Sequence, residues 1–330
     1  MISIIWSLST GAVEIQFSNV VKILLNNLRL SSFDISSQEE QILLALRLPR
    51  IEMAIMVGSA LGVAGTVMQG LFRNQLADPA LIGVSNGAAA GAAAMIVLGY
   101  TFALESVAIQ NYTLPIAAFI GGMIAVIIAY RLSTRGSHTS VGILLLTGIA
   151  INAITTSIIG FFIFISTDAQ LRSITFWLLG SISYLNREIV TLSAPFIVMP
   201  VIFMLFYGRH LNAFSLGEKE AFFMGYNTEK IKKILLLLLS ISIGASVAFT
   251  GVIGFIGLLV PHIVKFFTGP DNRIVLPVSF FAGAILLIIA DTFSRTLMSP
   301  AEIPVGILTT GIGGPVFLYL LLREKSKQRI

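Results

Sequence analysis

Ionised side chains are rare within the apolar stretches of this 330-residue sequence, and one pair of them has the spacing for chemistry. Asp291 and Arg295 lie four residues apart, so a helix would place both on one face, where they can form an ion pair. Pairing would offset the roughly 2.5–3.5 kcal/mol that each charge costs at the centre of a membrane helix. A proton relay would need a series of carboxylates, which the sequence lacks. The pair therefore indicates a structural contact.

Other motifs for catalysis or metal binding are absent from the sequence. It has no cysteine, no G-x-S-x-G nucleophile elbow and no H-E-x-x-H zinc pair, and its histidines, His138, His210 and His262, are scattered. It also lacks the G-x-x-x-x-G-K-[ST] phosphate loop. We therefore expect no catalysis, no metal site and no cofactor bound by this chain. Any ATP-Mg would be bound by partner subunits.

The composition indicates that this chain is an integral membrane protein. Apolar residues make up 56% and charged residues 11%, with a mean hydropathy of +0.92. A soluble chain of this size cannot hide so much apolar surface from water, so a soluble enzyme, a disordered chain and a disulfide scaffold are excluded. The formal charge of +5 suggests membrane topology rather than nucleic-acid binding, because no Lys/Arg-rich block precedes the C-terminal tail.

Long apolar stretches predict an all-α, polytopic helical bundle, since about 20 apolar residues cross a bilayer as a helix. The predicted spans are 52–72, 81–104, 114–130, 141–165, 189–207, 234–253, 274–290 and 305–322. The piece 254–267 contains Pro261 and predicts a short or broken helix. The run 171–179 is too short to span and predicts a re-entrant or interfacial helix. Together these give about nine full or partial spans.

Small residues and one capping motif add detail to these helices. The pairs Gly58-x-x-x-Gly62 and Gly87-x-x-x-Gly91 have the spacing that lets helix backbones approach closely in lipid. Asp78 followed by proline predicts a helix start, with Asp as the cap and Pro in the first turn.

The Lys and Arg residues divide the loops into two sets, fourteen of the 21 in one and seven in the other. The larger set comprises Arg73, Arg131, Arg135, Arg209, Lys219, Lys230, Lys232, Lys233, Lys265, Arg273, Arg323, Lys325, Lys327 and Arg329. Positively charged loops stay in the cytoplasm, so we expect this set and the C-terminus to be cytoplasmic.

Residues 1–41 are predicted to hold a truncated first helix and an external segment. Alternation of the spans places residues 14–41 outside, yet residues 1–8 are too few to cross a membrane and lack the charged start of a signal peptide. Either the chain starts outside or a helix is missing from this reading frame, and we favour the second interpretation. Residues 1–330 are expected to form a single transmembrane domain.

Five segments of the sequence resemble a known family of transporters. They are Arg47-Leu-Pro-Arg50, 67–87 (VMQGLFRNQLADPALIGVSNG), 216–225 (LGEKEAFFMG), 254–262 (GFIGLLVPH) and 302–306 (EIPVG). In this order they resemble the FecCD family of type II ABC importer permeases, which carry iron–siderophore complexes, haem and cobalamin. The resemblance covers residues 7–322. It implies a permease homodimer or pseudo-dimer with ten helices per subunit, two ATPase subunits on the cytoplasmic side and a soluble binding protein outside.

The resemblance implies a docking role for three arginines. Residues matching Arg47, Arg50 and Arg295 grip acidic side chains of the binding protein, and the planar guanidinium group suits carboxylate recognition. The alternative is that these arginines extend along the bilayer interface to reach water.

The resemblance also identifies the loop 211–233 as the coupling segment that transmits closure of the ATPases. Its matching residues are Leu216, Gly217, Glu218, Ala221, Met224 and Gly225. Helical spacing predicts an apolar face that includes Leu216, Ala221, Phe222 and Met224, with residues 218–220 exposed. The alternative is a solvated loop that only joins two spans.

The translocation path and its cytoplasmic gate are expected along helix 141–165 and the turn 137–142 before it. By resemblance, the candidate path residues are Thr139, Ser140, Val141, Gly142, Thr147 and Asn152. Hydroxyl groups that only support helix packing are the alternative. Phe176 and Trp177 are expected to pack or to anchor at the interface rather than to stack on cargo.

The sequence therefore predicts a permease subunit of an ABC importer in the bacterial inner membrane, working by alternating access as a homodimer. The expected cargo is a metal chelate, an Fe(III)–siderophore first, with haem or cobalamin as alternatives. An ion-coupled secondary transporter would need coupling-ion ligands at the midplane, and an intramembrane enzyme would need a catalytic constellation. The sequence favours neither.

Overall fold

A computed structural model of the chain describes residues 2–11, 13–30, 32–99, 107–136, 138–183 and 185–327. Its helices are α1 (Ile2–Ser9), α2 (Phe17–Asn27), α3 (Ser37–Gln41), α4 (Leu48–Phe72), α5 (Val84–Leu98), α6 (Val107–Ser133), α7 (Val141–Ile165), α8 (Asp168–Leu178), α9 (Arg187–Leu205), α10 (Gly208–Leu216), α11 (Glu218–Phe223), α12 (Thr228–Thr250), α13 (Ile256–Thr268), α14 (Asn272–Thr296) and α15 (Val305–Lys327). A π-helical turn, Ile42–Arg47, joins α3 to α4, and a 3₁₀ turn, Pro79–Ile82, precedes α5.

The predicted helical membrane bundle is confirmed. Six helical stretches in the described part of the chain are long and apolar enough to cross a bilayer: Ser37–Phe72, Tyr112–Ser133, Val141–Ile165, Arg187–Leu205, Thr228–Thr250 and Asn272–Thr296. Three shorter apolar helices, α5, α13 and α15, bring the number to the nine expected from the sequence.

Both predicted glycine pairs lie at close helix crossings. A Cβ added to Gly58 or Gly62 of α4 would lie 2.4 or 2.3 Å from a backbone oxygen of α14, at Gly283 or Ser279. A Cβ at Gly91 of α5 would lie 2.3 Å from a backbone oxygen of α6. The absence of side chains at these positions therefore allows α4 to pack on α14 and α5 on α6 at backbone distance.

Two predicted boundaries were wrong. The span 81–104 is shorter than expected, because residues 79–82 form the 3₁₀ turn and α5 ends at Leu98; residues 100–104 lie outside the described part. The span expected from residue 52 instead begins much earlier, because the π turn makes helix continuous from Ser37 to Phe72. The predicted cap is confirmed: the Asp78 side chain accepts a hydrogen bond from the Ala80 amide at 2.8 Å.

Two irregular elements complete the bundle. The predicted short helix is confirmed as α13, Ile256–Thr268. Before it the chain leaves helical geometry at Gly251, which has φ +68° and where a Cβ would lie 2.2 Å from the Trp177 carbonyl oxygen. A two-stranded hairpin, β1 (Thr134–Arg135) and β2 (His138–Thr139), joins α6 to α7. The sequence predicted only a turn there, and its residue 137 lies outside the described part. The bundle is therefore nearly, but not entirely, α-helical.

The loops gather at two opposite ends of the bundle. A cavity defines the first end, called here the cavity end. It lies between α6, α8, the start of α9, the end of α12 and the segment before α15, and its walls include Arg172, Ser183 and Glu302. A groove lined by Arg73, His138 and Glu218 defines the second, called here the hairpin end. The division of the two charge sets between these ends and the assignment of the hairpin end to the cytoplasm stay predictions.

Candidate functional site

The cavity end holds an open cavity of about 940 Å³. Helix α8 begins with a capping box between Thr167 and Gln170, and one side of it supplies Arg172, Phe176 and Trp177 to the cavity wall. The two aromatic residues therefore line a cavity, a location that the sequence did not predict for them. Among the described residues, no carboxylate pairs with Arg172, so the cavity wall offers a ligand one cation beside two aromatic side chains.

An ion-pair network lies beside this cavity and is centred on Arg50. Its Nε atom donates to both oxygens of Asp291 at 2.9 and 3.0 Å, and its Nη1 atom donates to both oxygens of Glu302 at 3.0 and 2.9 Å. The pair predicted from sequence is confirmed, with Arg295 Nε 3.4 Å from Asp291 Oδ2. Asp291 thus lies between two guanidinium groups, which compensates for its nearly complete burial.

The outer carboxylate of this network is held in its charged form. Burial by itself would raise the pKa of Glu302. The hydrogen bond from Ser183 Oγ, at 2.5 Å, and the charge of Arg50 outweigh burial, so the pKa of Glu302 lies below its ordinary value. Glu302 is therefore an anion at the rim of the cavity.

All three arginines predicted to dock the binding protein are buried, with exposed fractions of 5% for Arg47 and 7% each for Arg50 and Arg295. Arg47 donates to the carbonyl oxygens of Leu8, at 2.5 Å, and Val13. Arg295 Nη2 donates to the carbonyl and hydroxyl oxygens of Ser7 at 3.0 and 2.8 Å. The C-terminal end of α1 therefore accepts hydrogen bonds from two arginines, and all three guanidinium groups have partners within the chain.

The predicted coupling segment forms two short helices, α10 and α11, that meet at Gly217. Gly217 has φ +143°, which side chains rarely allow, so glycine permits the sharp change of direction. Gly225, with φ +89°, ends the segment after α11. The segment is therefore a folded unit rather than a solvated loop.

The apolar face of this segment differs in part from the predicted one. Leu216, Phe222 and Met224 are exposed as expected, and Phe223, which the sequence reasoning omitted, is 84% exposed. Ala221 was expected on this face, but it is fully buried and packs into the permease. The large exposed side chains form the hairpin-end apolar face, defined here as residues 216 and 222–224.

Glu218, expected to be exposed, takes part in a second buried-cation cluster. Lys232 is 1% exposed, and its Nζ atom lies 2.6 Å from Glu218 Oε1, 2.7 Å from Glu229 Oε1 and 2.7 Å from the Thr139 carbonyl oxygen. His138 Nδ1 lies 2.8 Å from Glu229 Oε1. The histidine and both glutamates have the spacing of metal ligands, but the ammonium group already occupies the centre of their oxygens.

The predicted path residues are divided among different environments. Thr139 is buried, and its amide donates to Glu229 Oε2 at 3.0 Å. Ser140 caps α7 through the Ile143 amide at 3.4 Å. Both residues therefore hold the start of α7 in place rather than lining open space.

The remaining path residues lie further along α7. Gly142 is exposed, and a Cβ there would meet no described atom within 4 Å. Asn152 donates to the Ala80 carbonyl oxygen at 3.1 Å, so it binds the 3₁₀ turn before α5. Val141 and Thr147 are half-buried. Of the six residues, Gly142 lies most openly on the surface.

Comparison with known proteins gives a consistent set of relatives. A sequence profile of the FecCD transport family matches residues 1–323. The hemin transport system permease protein HmuU of Yersinia pestis is 45% identical over 287 residues, which cover 87% of this chain and 85% of HmuU. The cobalamin import system permease protein BtuC of Halobacterium salinarum is 37% identical over 289 residues, covering 88% of this chain and 75% of BtuC.

The fold has a counterpart among solved structures. One described as a metal-chelate type ABC transporter in an inward-facing conformation has a TM-score of 0.84 and 29% identity, covering 98% of this chain and 96% of that chain. The family profile and the relatives both extend over most of the sequence. The chain therefore belongs to the FecCD transport family and is a membrane permease of the ABC importer class, not an enzyme, with ATP hydrolysis in partner subunits.

Proposed function

We propose that this permease imports a tetrapyrrole metal chelate of the haem type across the bacterial inner membrane. The observation that carries the proposal is the cavity beside α8, whose wall holds Arg172, Phe176 and Trp177, and in the described part of the chain Arg172 has no carboxylate partner. Aromatic rings suit the flat face of a macrocycle, and a guanidinium group suits a carboxylate substituent. A volume of about 940 Å³ is at the upper end of ordinary ligand pockets.

The chemistry of the same cavity favours haem over the other cargoes. Haem carries two carboxylates, whereas the side groups around the cobalamin ring are mainly neutral amides that give Arg172 no ionic partner. The Fe(III)–siderophore expected first from the sequence is supported less well, because HmuU, a haem permease by name, is 45% identical to this chain. A secondary transporter is disfavoured, because the buried carboxylate Asp291 is already paired with two arginines.

The hairpin-end apolar face is the proposed docking surface for the ATPase subunits. Phe222, Phe223 and Met224 are exposed at the end of the bundle that the charge distribution assigns to the cytoplasm. A short helix that presents such side chains can insert into a groove of a partner. In this arrangement two copies of the chain form a homodimer, each copy contacts one ATPase, and the C-terminus is cytoplasmic.

The cavity end is the proposed docking surface for the substrate-binding protein. Because Arg47, Arg50 and Arg295 are buried, an acidic side chain of that protein would have to replace a partner they already have. Glu302 is the more accessible of their two carboxylate partners, with a side chain 39% exposed against 1% for Asp291. On docking, a carboxylate of the binding protein would therefore replace Glu302 as the partner of Arg50 at the rim of the cavity.

The proposal is tested by comparing cargoes in proteoliposomes that contain the permease, its ATPase and its binding protein. We expect ATP-dependent uptake of haem, and a fall of roughly tenfold for Arg172→Gln, equivalent to about 1.4 kcal/mol. Arg187→Gln is the matched control, since Arg187 lies at the same end but outside the cavity wall. Uptake of a siderophore or cobalamin instead of haem, or equal uptake by Arg172→Gln, would contradict the proposal.

A further inference from the structure

We infer that Lys232 is a positioning residue that links the coupling helix α11 to the gate helix α7. The inference rests on the proposed function, because it names the part of the permease through which ATPase closure would reach the path. Its basis is the cluster in which one buried ammonium group joins three separate segments of the chain. None of the predicted site roles included this lysine.

The three segments meet at the lysine nitrogen. Glu218 is the first residue of α11, Glu229 lies in the first turn of α12 beside Lys232, and Thr139 is the last residue of the hairpin. The lysine nitrogen donates hydrogen bonds to Glu218 Oε1 at 2.6 Å and to the Thr139 carbonyl oxygen at 2.7 Å, and it forms an ion pair with Glu229 Oε1 at 2.7 Å. The ammonium group is therefore held by one contact from each segment.

The burial of Lys232 makes these contacts obligatory. A lysine that is 1% exposed cannot exchange a lost partner for water at low cost. Its two carboxylate partners remain partly solvated, with side chains 28% and 29% exposed, whereas the lysine has almost no contact with water. A displacement of α11 would therefore alter the contacts of the buried Lys232, so its effect would not be confined to the protein surface.

The hairpin carries the connection to α7. Thr139 contacts the cluster twice, because its carbonyl accepts from Lys232 and its amide donates to Glu229 Oε2 at 3.0 Å. The next residue, Ser140, is the N-cap of α7, and its amide donates to the Ser133 carbonyl oxygen at 3.0 Å. Only one residue thus separates the cluster from the first turn of α7.

The chemistry of the partners explains why a lysine suits this place. The acceptors come from three directions, and the compact ammonium group can turn its donors toward each of them. His138 adds a further contact to Glu229, on the hairpin side of the cluster. The arrangement therefore ties the hairpin and α12 together, and Glu218 connects both of them to α11, since its Oε1 atom also lies 3.9 Å from His138 Nδ1.

The first experiment measures the number of haem molecules transported per ATP hydrolysed by the full transporter in proteoliposomes. Glu218→Gln removes the charge on α11 but leaves Lys232 paired with Glu229, and Lys232→Met removes the link entirely. For both variants we expect this ratio to fall roughly fivefold or more while ATP hydrolysis continues. Lys233→Met is the control, because Lys233 is the exposed neighbour on the same helix.

The outcomes separate the inference from the function on which it rests. If Lys232→Met fails to fold, the ratio of haem transported per ATP in Glu218→Gln tests the inference, because that variant keeps the buried ion pair between Lys232 and Glu229. A wild-type ratio in a folded Glu218→Gln variant would overturn the inference, whereas a wild-type complex that hydrolyses ATP without moving haem would contradict the proposed function. A purely structural role would lower the melting temperature without changing the ratio.

A distance measurement tests the link without any cargo. The chain has no cysteine, so spin labels can be placed at Lys219→Cys on α11 and Arg135→Cys on the hairpin without background, and both positions are exposed. In the assembled transporter we expect this distance to stay constant between nucleotide states, because the two segments move together. In Glu218→Gln it should change with nucleotide. Independent motion of the labels in the unmutated cluster would overturn the inference.

Discussion

The two ends of the bundle contain the same electrostatic arrangement, a buried cation between two carboxylates. At the cavity end, Arg50 lies between Asp291 and Glu302. At the hairpin end, Lys232 lies between Glu218 and Glu229. The two cations are buried to a similar degree, so burial of the cation alone does not distinguish a structural contact from a moving one.

The difference lies in what holds the carboxylates. Asp291 is 1% exposed on α14, which packs against α4 at backbone distance through Gly58 and Gly283. Glu218 begins a six-residue helix at the surface and is partly solvated. The Arg50–Asp291 pair therefore joins two closely packed helices, whereas the Lys232 cluster joins a short surface helix to the hairpin and α12.

Removing the cation at the cavity end should give the largest effect on stability. Arg50→Met would leave Asp291 with the more distant Arg295 only and Glu302 without its guanidinium partner. Breaking a buried pair in this way costs about 3 kcal/mol or more. We expect a clearly lower melting temperature of the purified permease in detergent than for Arg187→Met, whose parent side chain is exposed. Equal melting temperatures would show that the Arg50 network contributes no more to stability than an exposed ion pair does.

A change at the hairpin end should give a smaller effect on stability and a larger one on coupling. Gly217→Ala puts a Cβ at φ +143° and 1.7 Å from Glu220 Oε2, which should strain the junction of α10 and α11 by about 1–3 kcal/mol. We expect fewer haem molecules per ATP with the ATPase still bound. Gly311→Ala is the control, since Gly311 belongs to none of the predicted sites and a Cβ there meets open space. Normal transport by Gly217→Ala would argue that the orientation of α11 is unimportant.

The rim carboxylate Glu302 should give the smallest effect, and one that depends on pH. Its folded-state pKa is lowered, so its contribution to stability is present above the ordinary Glu pKa of about 4.3 and is lost as the pH falls through the folded value. Partial exposure limits this contribution to below about 1 kcal/mol. The melting temperatures of wild type and Glu302→Gln should therefore differ slightly at neutral pH and converge in acid. A difference that grows on acidification would contradict this assignment.

The sequence predicted the local features of both ends and missed the contacts between distant segments. The Asp291–Arg295 pair and the Gly58 and Gly91 crossings follow from helical spacing, which one sequence displays directly. Arg50 and Asp291 are 241 residues apart, so nothing local indicates their contact.

The coupling end shows the same limit. Lys232 was counted only among the positive charges of a loop, because burial of a lysine depends on the hairpin and α11 folding over it. Ala221 was assigned to the exposed face because spacing gives the faces of a helix but not which of them packs inward. The hairpin itself is too short to have a periodic signature.

The most direct test of the account is haem accumulation by proteoliposomes that contain the permease with and without its ATPase subunits. We predict that haem accumulates only when the ATPase, the binding protein and ATP are all present, because this chain contains no phosphate-binding loop. Accumulation driven by the permease alone, with or without an ion gradient, would contradict the central claim that an external motor acts on the hairpin end.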